Sequence, residues 1–550
     1  MGRPLHIAGR QQRESRIGEL FPTDRGLSPW QGINGISRNL GDPVCSSMEV
    51  VTDKVKTEEG NDDILGVGLT HSRGVAGVTA CDTDGSVLEG VSDQSQTAKE
   101  TPGIHRDAAW VETRLSVISK MARTDSGCRF NNLACLLNED YLARCFWELE
   151  KGAAPGIDKV TWRSYAKDLS ENLSDLLSRM RAMKYRPQAV RRVYIPKDGK
   201  STRPLGIPAV EDKIVQMGIS RILESIYEQD FLDVSYGFRP GRNCHQALKA
   251  LDRCLMTRPV NYVLDADIKG FFDSVDHKLL LKCLEARICD KNFLRLIVRI
   301  LKAGVMESGK CLETEEGTPQ GGVVSPILAN IFLHYALDKW FATVLTKQLK
   351  GYAELIRYAD DFVICVQHKE DAEKILSMLD ARFTQCGLTL SKEKTRLLEF
   401  GRFAKVRADS QGKRPGSFDF LGFTHYCDLS RTGKFKVGRK TSKKKFRLKA
   451  VALNDWLRQV RNAVPLNVWW DTLCRKLSGH YNYYAISGNY VGVYRFYRLA
   501  LRLAFKWLNR RSQRRSSTWT RYNLFLATNS LPHPYIRHNL YGLCLLSEAD

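Results

Sequence analysis

The sequence predicts an α+β fold, in which a sheet that carries paired carboxylates is followed by an all-helical C-terminal region. Residues 354–366 place an Asp-Asp pair between two apolar runs, which is the pattern of a β-hairpin with a polar turn. Residues 262–267 alternate as a strand and also end in an aspartate. After residue 450, apolar and aromatic residues recur at helical spacing between basic ones. These three observations define the fold class.

The aspartates of these two segments are Asp267, Asp360 and Asp361. An Asp-Asp pair alone is more often a surface turn than a catalytic site, because aspartate favours turns. Carboxylates at the ends of neighbouring strands repel each other unless divalent cations lie between them, so the three together predict a metal site. Two Mg²⁺ ions held in this way suit nucleotidyl transfer, since one activates the attacking 3′-oxygen and the other clamps the triphosphate.

Residues 358–361, Tyr-Ala-Asp-Asp, resemble the YxDD signature of reverse transcriptases. One four-letter motif is weak, but six blocks in order resemble those of group II intron-encoded reverse transcriptase-maturases. The resemblance extends from about residue 112 to about residue 538. The other five blocks are residues 192–197, 203–208, 229–242, 317–322 and 418–423.

This resemblance implies a right-hand polymerase with fingers and a ferredoxin-like palm sheet, followed by an all-helical thumb or maturase domain. Residues 1–105 lack periodicity and precede the resemblance, so they are predicted to be a disordered extension or an upstream reading of the start codon. The other predicted domains are an N-terminal helical insertion and fingers (106–260), a palm (261–430), a thumb or maturase domain (431–508) and a short basic DNA-binding-like tail (509–550).

The resemblance also implies roles for individual residues. Asp267, Asp360 and Asp361 are the expected catalytic residues, and together with Ile268 they are expected to bind two Mg²⁺ ions. Lys394 matches a position proposed in polymerases to protonate the leaving pyrophosphate, which makes it a further catalytic candidate.

Four residues are candidates for contacts with the incoming deoxynucleotide. Residues 190–215 alternate as a strand, turn at Asp-Gly-Lys and return, which predicts a basic hairpin. In the family, two cations flanking this turn contact the triphosphate, a glutamine contacts the nascent base pair, and a bulky residue excludes a 2′-hydroxyl. The matching residues here are Lys197, Arg203, Gln320 and Phe272. Without the neighbouring blocks, solvated cations and a core aromatic would be the commoner interpretations.

Positive charge is concentrated at the C-terminal end. Residues 401–550 hold 29 Lys and Arg against 7 Asp and Glu, and so account for +22 of the net charge of +23. Such a surface favours a polyanion, although the run at 433–449 could also be a solvated face or a localisation signal. The predicted RNA-binding residues are Arg239, Arg242, Lys443, Lys444, Lys445, Arg447 and Lys449.

Several other classes are disfavoured. The 15 cysteines include no C-x-x-C pair, so they are expected to be reduced packing residues rather than zinc ligands or disulfides. No apolar run approaches the roughly 18 residues of a membrane span, and we expect the protein in the bacterial cytosol or an organelle. Residues 304–311 nearly match a phosphate-binding loop, but Cys311 stands at the required Ser/Thr position and the preceding segment is predicted to be helical.

The predicted function is an RNA-directed DNA polymerase that copies group II intron RNA into cDNA and, as a maturase, assists splicing of that RNA. Its expected partners are the intron RNA, a DNA target or primer and deoxynucleotides, with the choice between monomer and dimer left open. A retron or phage-defence reverse transcriptase and an RNA-binding splicing factor without synthesis are the alternatives. No C-x-x-C pair follows residue 510, so the family's endonuclease module is expected to be absent and the primer to come from elsewhere.

Overall fold

The computed structural model describes residues 104–196, 202–307, 310–312, 317, 320–511 and 517–541. The predicted extension at 1–105 lies outside these residues, apart from its last two positions, which begin the first helix. In chain order, the strands are β1 (Val190–Pro196), β2 (Thr202–Ile207), β3 (Tyr262–Asp267), β4 (Val305–Glu307), β5 (Lys310–Leu312), β6 (Ala353–Tyr358), β7 (Asp361–Val366), β8 (Arg396–Glu399), β9 (Ser417–Phe420), β10 (Phe423–Leu429) and β11 (Phe435–Thr441).

Helices surround these strands. They are α1 (Ile104–Thr124), α2 (Glu139–Glu148), α3 (Trp162–Tyr165), α4 (Leu169–Arg181), α5 (Val210–Tyr227), α6 (Cys244–Thr257), α7 (Phe271–Ser274), α8 (His277–Glu285), α9 (Lys291–Leu301), α10 (Ser325–Leu333), α11 (Lys369–Gln385), α12 (Ala404–Ser410), α13 (Lys443–Ala463), α14 (Leu466–Tyr484), α15 (Tyr490–Leu508) and α16 (Trp519–Thr528). Within the described residues no helix combines the length and the apolar composition needed to cross a lipid bilayer. The cysteines whose side chains are described are free thiols.

The predicted basic hairpin is the β1–β2 pair, in which Tyr194 lies opposite Pro204. Strand β4 pairs in parallel with β1, and the sheet order is β2-β1-β4-β5. Helix α9 precedes β4, whereas a phosphate-binding loop requires a preceding strand. The helix predicted before residue 304 is therefore confirmed.

The central sheet consists of four antiparallel strands in the order β6-β7-β3-β8. Helices α7–α10 and strands β4 and β5 of the other sheet lie between β3 and β6 in the chain. A tight turn connects β6 to β7, and α11 lies between β7 and β8. This βαββαβ connectivity is that of a ferredoxin-like sheet. It brings the ends of β3 and β7 side by side, which is where the predicted carboxylates lie.

The central sheet lies between two hydrophobic cores. Because successive side chains of a strand point to opposite faces, neighbouring residues contribute to different cores. Leu264 and Phe362 pack with the N-terminal helices on one face. Val263 and Val363 pack on the other face, with β9–β11 and helices α13–α16. Burial of both faces fixes the register of the strands, since a slip by one residue would exchange the two sets.

Two features of the C-terminal region differ from the sequence-based prediction. The region 431–508 is helical except for β11, which pairs with β10 along its whole length. The predicted tail at 509–550 includes α16, which packs on the preceding helices: Tyr522 is buried and donates a hydrogen bond to the Leu501 carbonyl at 3.1 Å, and Phe525 contacts Trp470. Residues 519–541 therefore belong to the same folded unit as the helices before them.

Candidate active site

The Asp-Asp pair lies at the tightest turn of the central sheet. Tyr358 pairs with Asp361, so Ala359 and Asp360 form a two-residue turn in which Ala359 adopts a left-handed backbone with φ of +57°. Asp361 lies directly opposite Asp267 on β3. Side chains at opposed positions of an antiparallel pair have Cβ atoms about 5 Å apart. The structure thus brings these aspartates together, as the sequence predicts.

The electrostatic environment of Asp361 is unfavourable for its charge. The pKa of the Asp361 carboxyl is raised to about 7, mainly by burial and further by the negative charges of Asp265, Asp360 and Asp267, while a hydrogen bond from the Leu421 main chain opposes this increase. Asp361 is therefore partly protonated at neutral pH in the absence of a compensating cation. A divalent ion would favour the ionised form.

Asp265 was missed by sequence reasoning, although its position carried a signal. It precedes Asp267 by two residues on β3 and therefore points to the same face. Burial raises the pKa of its carboxyl, and Arg396, whose guanidinium lies 2.9 Å away, opposes this effect. Alternation along the strand would have added Asp265 to the predicted acidic cluster.

Lys394, the predicted proton donor, contacts a predicted metal ligand. Its Nζ lies 2.6 Å from Oδ2 of Asp267, and both side chains are partly exposed. The main-chain N–H of Ser391 donates to the Asp267 carbonyl at 2.9 Å, which joins the segment carrying Lys394 to the end of β3. The ammonium group therefore lies beside the predicted catalytic aspartates and forms an ion pair with one of them.

The chemistry of these residues fits a hard divalent cation. Carboxylate oxygens are the preferred protein ligands of Mg²⁺, and mutual repulsion of the carboxylates would be relieved by a bound ion. Among the described residues, no three His, Cys, Asp or Glu side chains already converge as a metal-binding cluster. The side chain of Ile268 is buried in the core, so only its main-chain carbonyl could contribute.

Two of the predicted nucleotide-binding residues contact each other. Nε of Arg203 on β2 donates to Oε1 of Gln320 at 2.7 Å, and the Gly206 N–H donates to the Gln320 carbonyl at 2.6 Å. Gly321 permits this approach: its φ is +110°, and a Cβ there would lie 2.7 Å from the Gly206 carbonyl oxygen. Lys197 lies outside the described residues.

Phe272 lies on the short helix α7, where its side chain is almost fully buried and makes an edge contact with Phe271. Its carbonyl oxygen would lie 2.9 Å from a Cβ built at Gly317, so α7 packs closely against the main chain at Gly317. Gly317 is the first residue of the block 317–322, which also contains the nucleotide-binding candidate Gln320.

The predicted RNA contact of Arg239 is not supported by its environment. All three guanidinium nitrogens donate to protein acceptors, namely the Glu228 carboxylate and the carbonyls of Leu232 and Ser235. The side chain is 4% exposed. The prediction that Arg239 binds RNA is therefore wrong: its guanidinium stabilises its own loop through hydrogen bonds within the protein. Sequence alone could not distinguish it from Arg242, because the difference lies in burial.

Arg242 and the five C-terminal cations lie at the surface. The Arg242 guanidinium lies 5.4 Å from the centre of the Tyr236 ring and pairs with the exposed Asp233. The other five occupy the first two turns of α13, all in exposed positions, and are Lys443, Lys444, Lys445, Arg447 and Lys449. Cations are unfavourable at a helix N-terminus, where the helix dipole attracts anions.

Comparisons with known proteins define the class. The family model described as "Reverse transcriptase (RNA-dependent DNA polymerase)" matches residues 195–425, which contain the whole central sheet. The chain is 33% identical to Protein YkfC of Escherichia coli (strain K12) in an alignment of 382 residues that covers 62% of this chain and 96% of YkfC. The chain therefore belongs to the reverse transcriptase family, and it carries an RNA-directed DNA polymerase domain.

Two further relatives have names that refer to introns. The chain is 37% identical over 246 residues to the group II intron-encoded protein LtrA of Lactococcus lactis subsp. cremoris, with coverage of 42% of this chain and 41% of LtrA. It is 42% identical over 144 residues to an uncharacterized 91 kDa protein in the cob intron of Schizosaccharomyces pombe, which is 26% of this chain and 18% of that protein. The matches thus span less than half of each of these two relatives.

Proposed function

We propose that this protein copies group II intron RNA into cDNA and acts as a maturase that assists splicing and mobility of the intron. The similarity to LtrA carries the intron-related part of this proposal. In this assignment, the central sheet is the palm, the β2-β1-β4-β5 sheet belongs to the fingers, and helices α13–α15 form the thumb. Template RNA, a DNA primer and deoxynucleotides are the partners, and the protein works where intron RNA is made, in a bacterial cytosol or an organelle.

The proposed catalytic centre consists of Asp267, Asp360 and Asp361, with the Ile268 carbonyl as an additional ligand. Asp267 and Asp361 lie opposite each other on β3 and β7, and the pKa of Asp361 is raised. Both observations support this assignment, because a cation would stabilise closely spaced carboxylates. These residues would hold two Mg²⁺ ions, which would supply activation of the 3′-hydroxyl and neutralisation of the triphosphate.

The remaining side chains position the nucleotide. Arg203, oriented by its hydrogen bond to Gln320, binds the triphosphate together with Lys197. Gln320 contacts the nascent base pair, and Phe272 excludes a 2′-hydroxyl. Lys394 leaves Asp267 and protonates the departing pyrophosphate.

Primer extension on an RNA template tests the polymerase proposal. Asp360→Ala should lower the rate of nucleotide addition by at least about 10³-fold, because the metal ions lose a ligand at the reacting centre. Asp428→Ala is the matched control, since Asp428 forms a partly exposed ion pair with Lys436 on the β10–β11 hairpin. Extension by Asp360→Ala at the rate of the control would disprove the assigned centre.

A further inference from the structure

A buried ion pair lies directly behind the catalytic turn. The guanidinium of Arg357, on β6, donates from Nε to Oδ1 of Asp338 at 2.7 Å and from Nη2 to Oδ2 at 2.5 Å. Both side chains are 0% exposed. Asp338 ends a π-helical segment, His334–Asp338, that continues from α10. Segments of this kind are frequent at functional sites.

The same guanidinium contacts the catalytic turn itself. Its Nη1 donates to the carbonyl of Ala359 and to Oδ1 of Asn330, both at 3.0 Å, and its Nη2 donates to Oγ of Ser235 at 2.8 Å. The Ala359 carbonyl belongs to the peptide bond that leads into Asp360. Arg357 therefore holds the main chain immediately before a catalytic carboxylate.

The network also includes the loop 235–238. Nδ2 of Asn330 donates to the Gly237 carbonyl at 2.8 Å, and the Tyr236 N–H donates to the Arg357 carbonyl at 2.9 Å. A Cβ at Gly237 would lie 2.4 Å from the Ala359 nitrogen, so the loop and the turn pack main chain against main chain.

The loop and the turn each contain a residue in a strained conformation. Phe238 has a φ of +55° and Ala359 a φ of +57°, which are uncommon for residues other than glycine. Such conformations persist only where the surroundings determine them, and they cluster at functional sites. The Phe238 ring is half exposed and lies 6.5 Å from the Tyr358 ring, so the loop extends to the surface beside the catalytic turn.

We propose that Arg357 is a positioning residue for nucleotidyl transfer. It fixes the peptide bond before Asp360 and, through Ser235 and Asn330, ties the turn to the loop 235–238. Stability alone does not account for the pair, because replacement of a buried ion pair by apolar side chains is often neutral or stabilising. A displacement of about 1 Å at a reacting group can reduce a rate by about 10²-fold. The network therefore acts by fixing the position of the turn that carries Asp360.

A double substitution distinguishes a role of Arg357 in positioning the catalytic turn from a role in stabilising the fold. Arg357→Met alone leaves Asp338 buried without a partner and should destabilise the fold. In Arg357→Met/Asp338→Leu no charge is left unpaired, so the melting temperature should return close to that of the wild type. The Ala359 carbonyl still lacks its donor, and we expect the single-turnover rate of nucleotide addition to remain about 10²-fold lower. The affinity for primer-template and the fraction of active enzyme, measured by burst amplitude, should change less than threefold.

Arg287 and Asp230 provide a matched control pair. Arg287 is also buried, lies 3.1 Å from Asp230, and donates to the carbonyls of Asp125 and Ala122 at 2.9 and 3.0 Å. Arg287→Met/Asp230→Leu should therefore leave the rate of nucleotide addition within threefold of the wild type.

A conservative substitution at Arg357 provides a second test. Arg357→Lys keeps the charge opposite Asp338 but cannot reach Asp338, Ser235 and the Ala359 carbonyl together, so its rate should remain at least tenfold below that of the wild type. The inference rests on polymerase activity, which wild-type extension checks first. If the wild type extends primers and the Arg357→Met/Asp338→Leu variant does so at the same rate, Arg357 has only a structural role.

Discussion

At the scale of single residues, the sequence predicts which carboxylates are present but not their protonation. Asp267, Asp360 and Asp361 could be selected because a strand end and a tight turn are visible in local patterns. The raised pKa of Asp361 depends on its burial and on Asp265 and Asp267, on a strand about a hundred residues earlier in the chain. Burial of this kind is a property of the folded chain, so no local pattern reveals it.

The pKa of Asp361 gives a pH prediction with a defined sign. Because its folded value of about 7 is above its ordinary value of 3.8, the fold favours the protonated form. This stabilisation is complete below pH 3.8 and is lost as the pH rises from 3.8 to about 7. Asp361→Asn removes the charge and retains an oxygen that can accept from Leu421. In EDTA its stability advantage over the wild type should grow between pH 4 and pH 7 by at most about 1.4 kcal/mol per pH unit, then level off.

Thermal melts at pH 4, 5.5, 7 and 8.5 measure this difference, and Asp428→Asn is the control because Asp428 is partly exposed. An advantage of Asp361→Asn that stays the same at all four pH values would contradict the raised pKa. Addition of Mg²⁺ at pH 8.5 should stabilise the wild type more than Asp361→Asn, because the ion binds the charged form.

Sugar selection is a second prediction at this scale. Phe272→Ala should remove the steric barrier to a 2′-hydroxyl and lower the preference for deoxynucleotides over ribonucleotides by at least about tenfold. Phe271→Ala is the matched control, since Phe271 is the adjacent buried aromatic on α7. The preference is measured as the ratio of kcat/KM values for the two sugars. An unchanged ratio in Phe272→Ala would make Phe272 a core residue and place the gate elsewhere.

At the scale of elements, local patterns predict hairpins and amphipathic helices but not every strand. The segment that forms β11 is rich in cations, and its composition therefore suggested a charged run before a helix. It is a strand because it pairs with β10, and because Arg439 is buried in an ion pair with Asp252 of α6. Strand formation depends on such distant partners more than on intrinsic propensity.

The start of α13 carries the prediction that separates the maturase role from polymerase activity. Each phosphate that is neutralised contributes roughly 0.7 to 0.9 to the log–log slope of binding against salt. Replacement of its five cations by Gln should therefore flatten the slope for intron RNA by up to about 3.5 to 4.5, with loss of splicing stimulation at moderate salt. The substituted residues are Lys443, Lys444, Lys445, Arg447 and Lys449.

A control variant with the same change in net charge distinguishes a local effect from a general one. Five exposed cations on and beside α8 and α9 serve this purpose, namely Lys278, Lys282, Lys291, Arg295 and Lys302. Filter binding of intron RNA over a range of salt concentrations should show a flatter slope for the α13 variant than for this control. Synthesis on a short, saturating primer-template should be similar in both. Equal slopes for the two variants would identify the start of α13 as a solvated surface.

At the scale of the whole molecule, the predicted order of domains does not reveal that two of them share a hydrophobic core. The sequence suggests a palm (261–430) followed by a separate thumb or maturase domain (431–508), in which apolar and aromatic residues recur at helical spacing. In the structure, Val263, Ile356, Val363 and Cys365 of the central sheet are in the same hydrophobic core as Leu473 of α14. The C-terminal helices therefore belong to the core that covers one face of the catalytic sheet.

This shared core predicts that the polymerase region does not fold stably without the C-terminal helices. Deletion of residues 431–550 removes β11 and α13–α16 and leaves an apolar face of the central sheet exposed to water. The truncated protein should aggregate or bind a hydrophobic dye, and it should lose the cooperative thermal transition of the full chain. Deletion of residues 1–103, a segment of similar length, is the control and should preserve that transition. Cooperative melting of the truncated protein, without dye binding, would show instead that the sheet and the N-terminal helices form an independent unit.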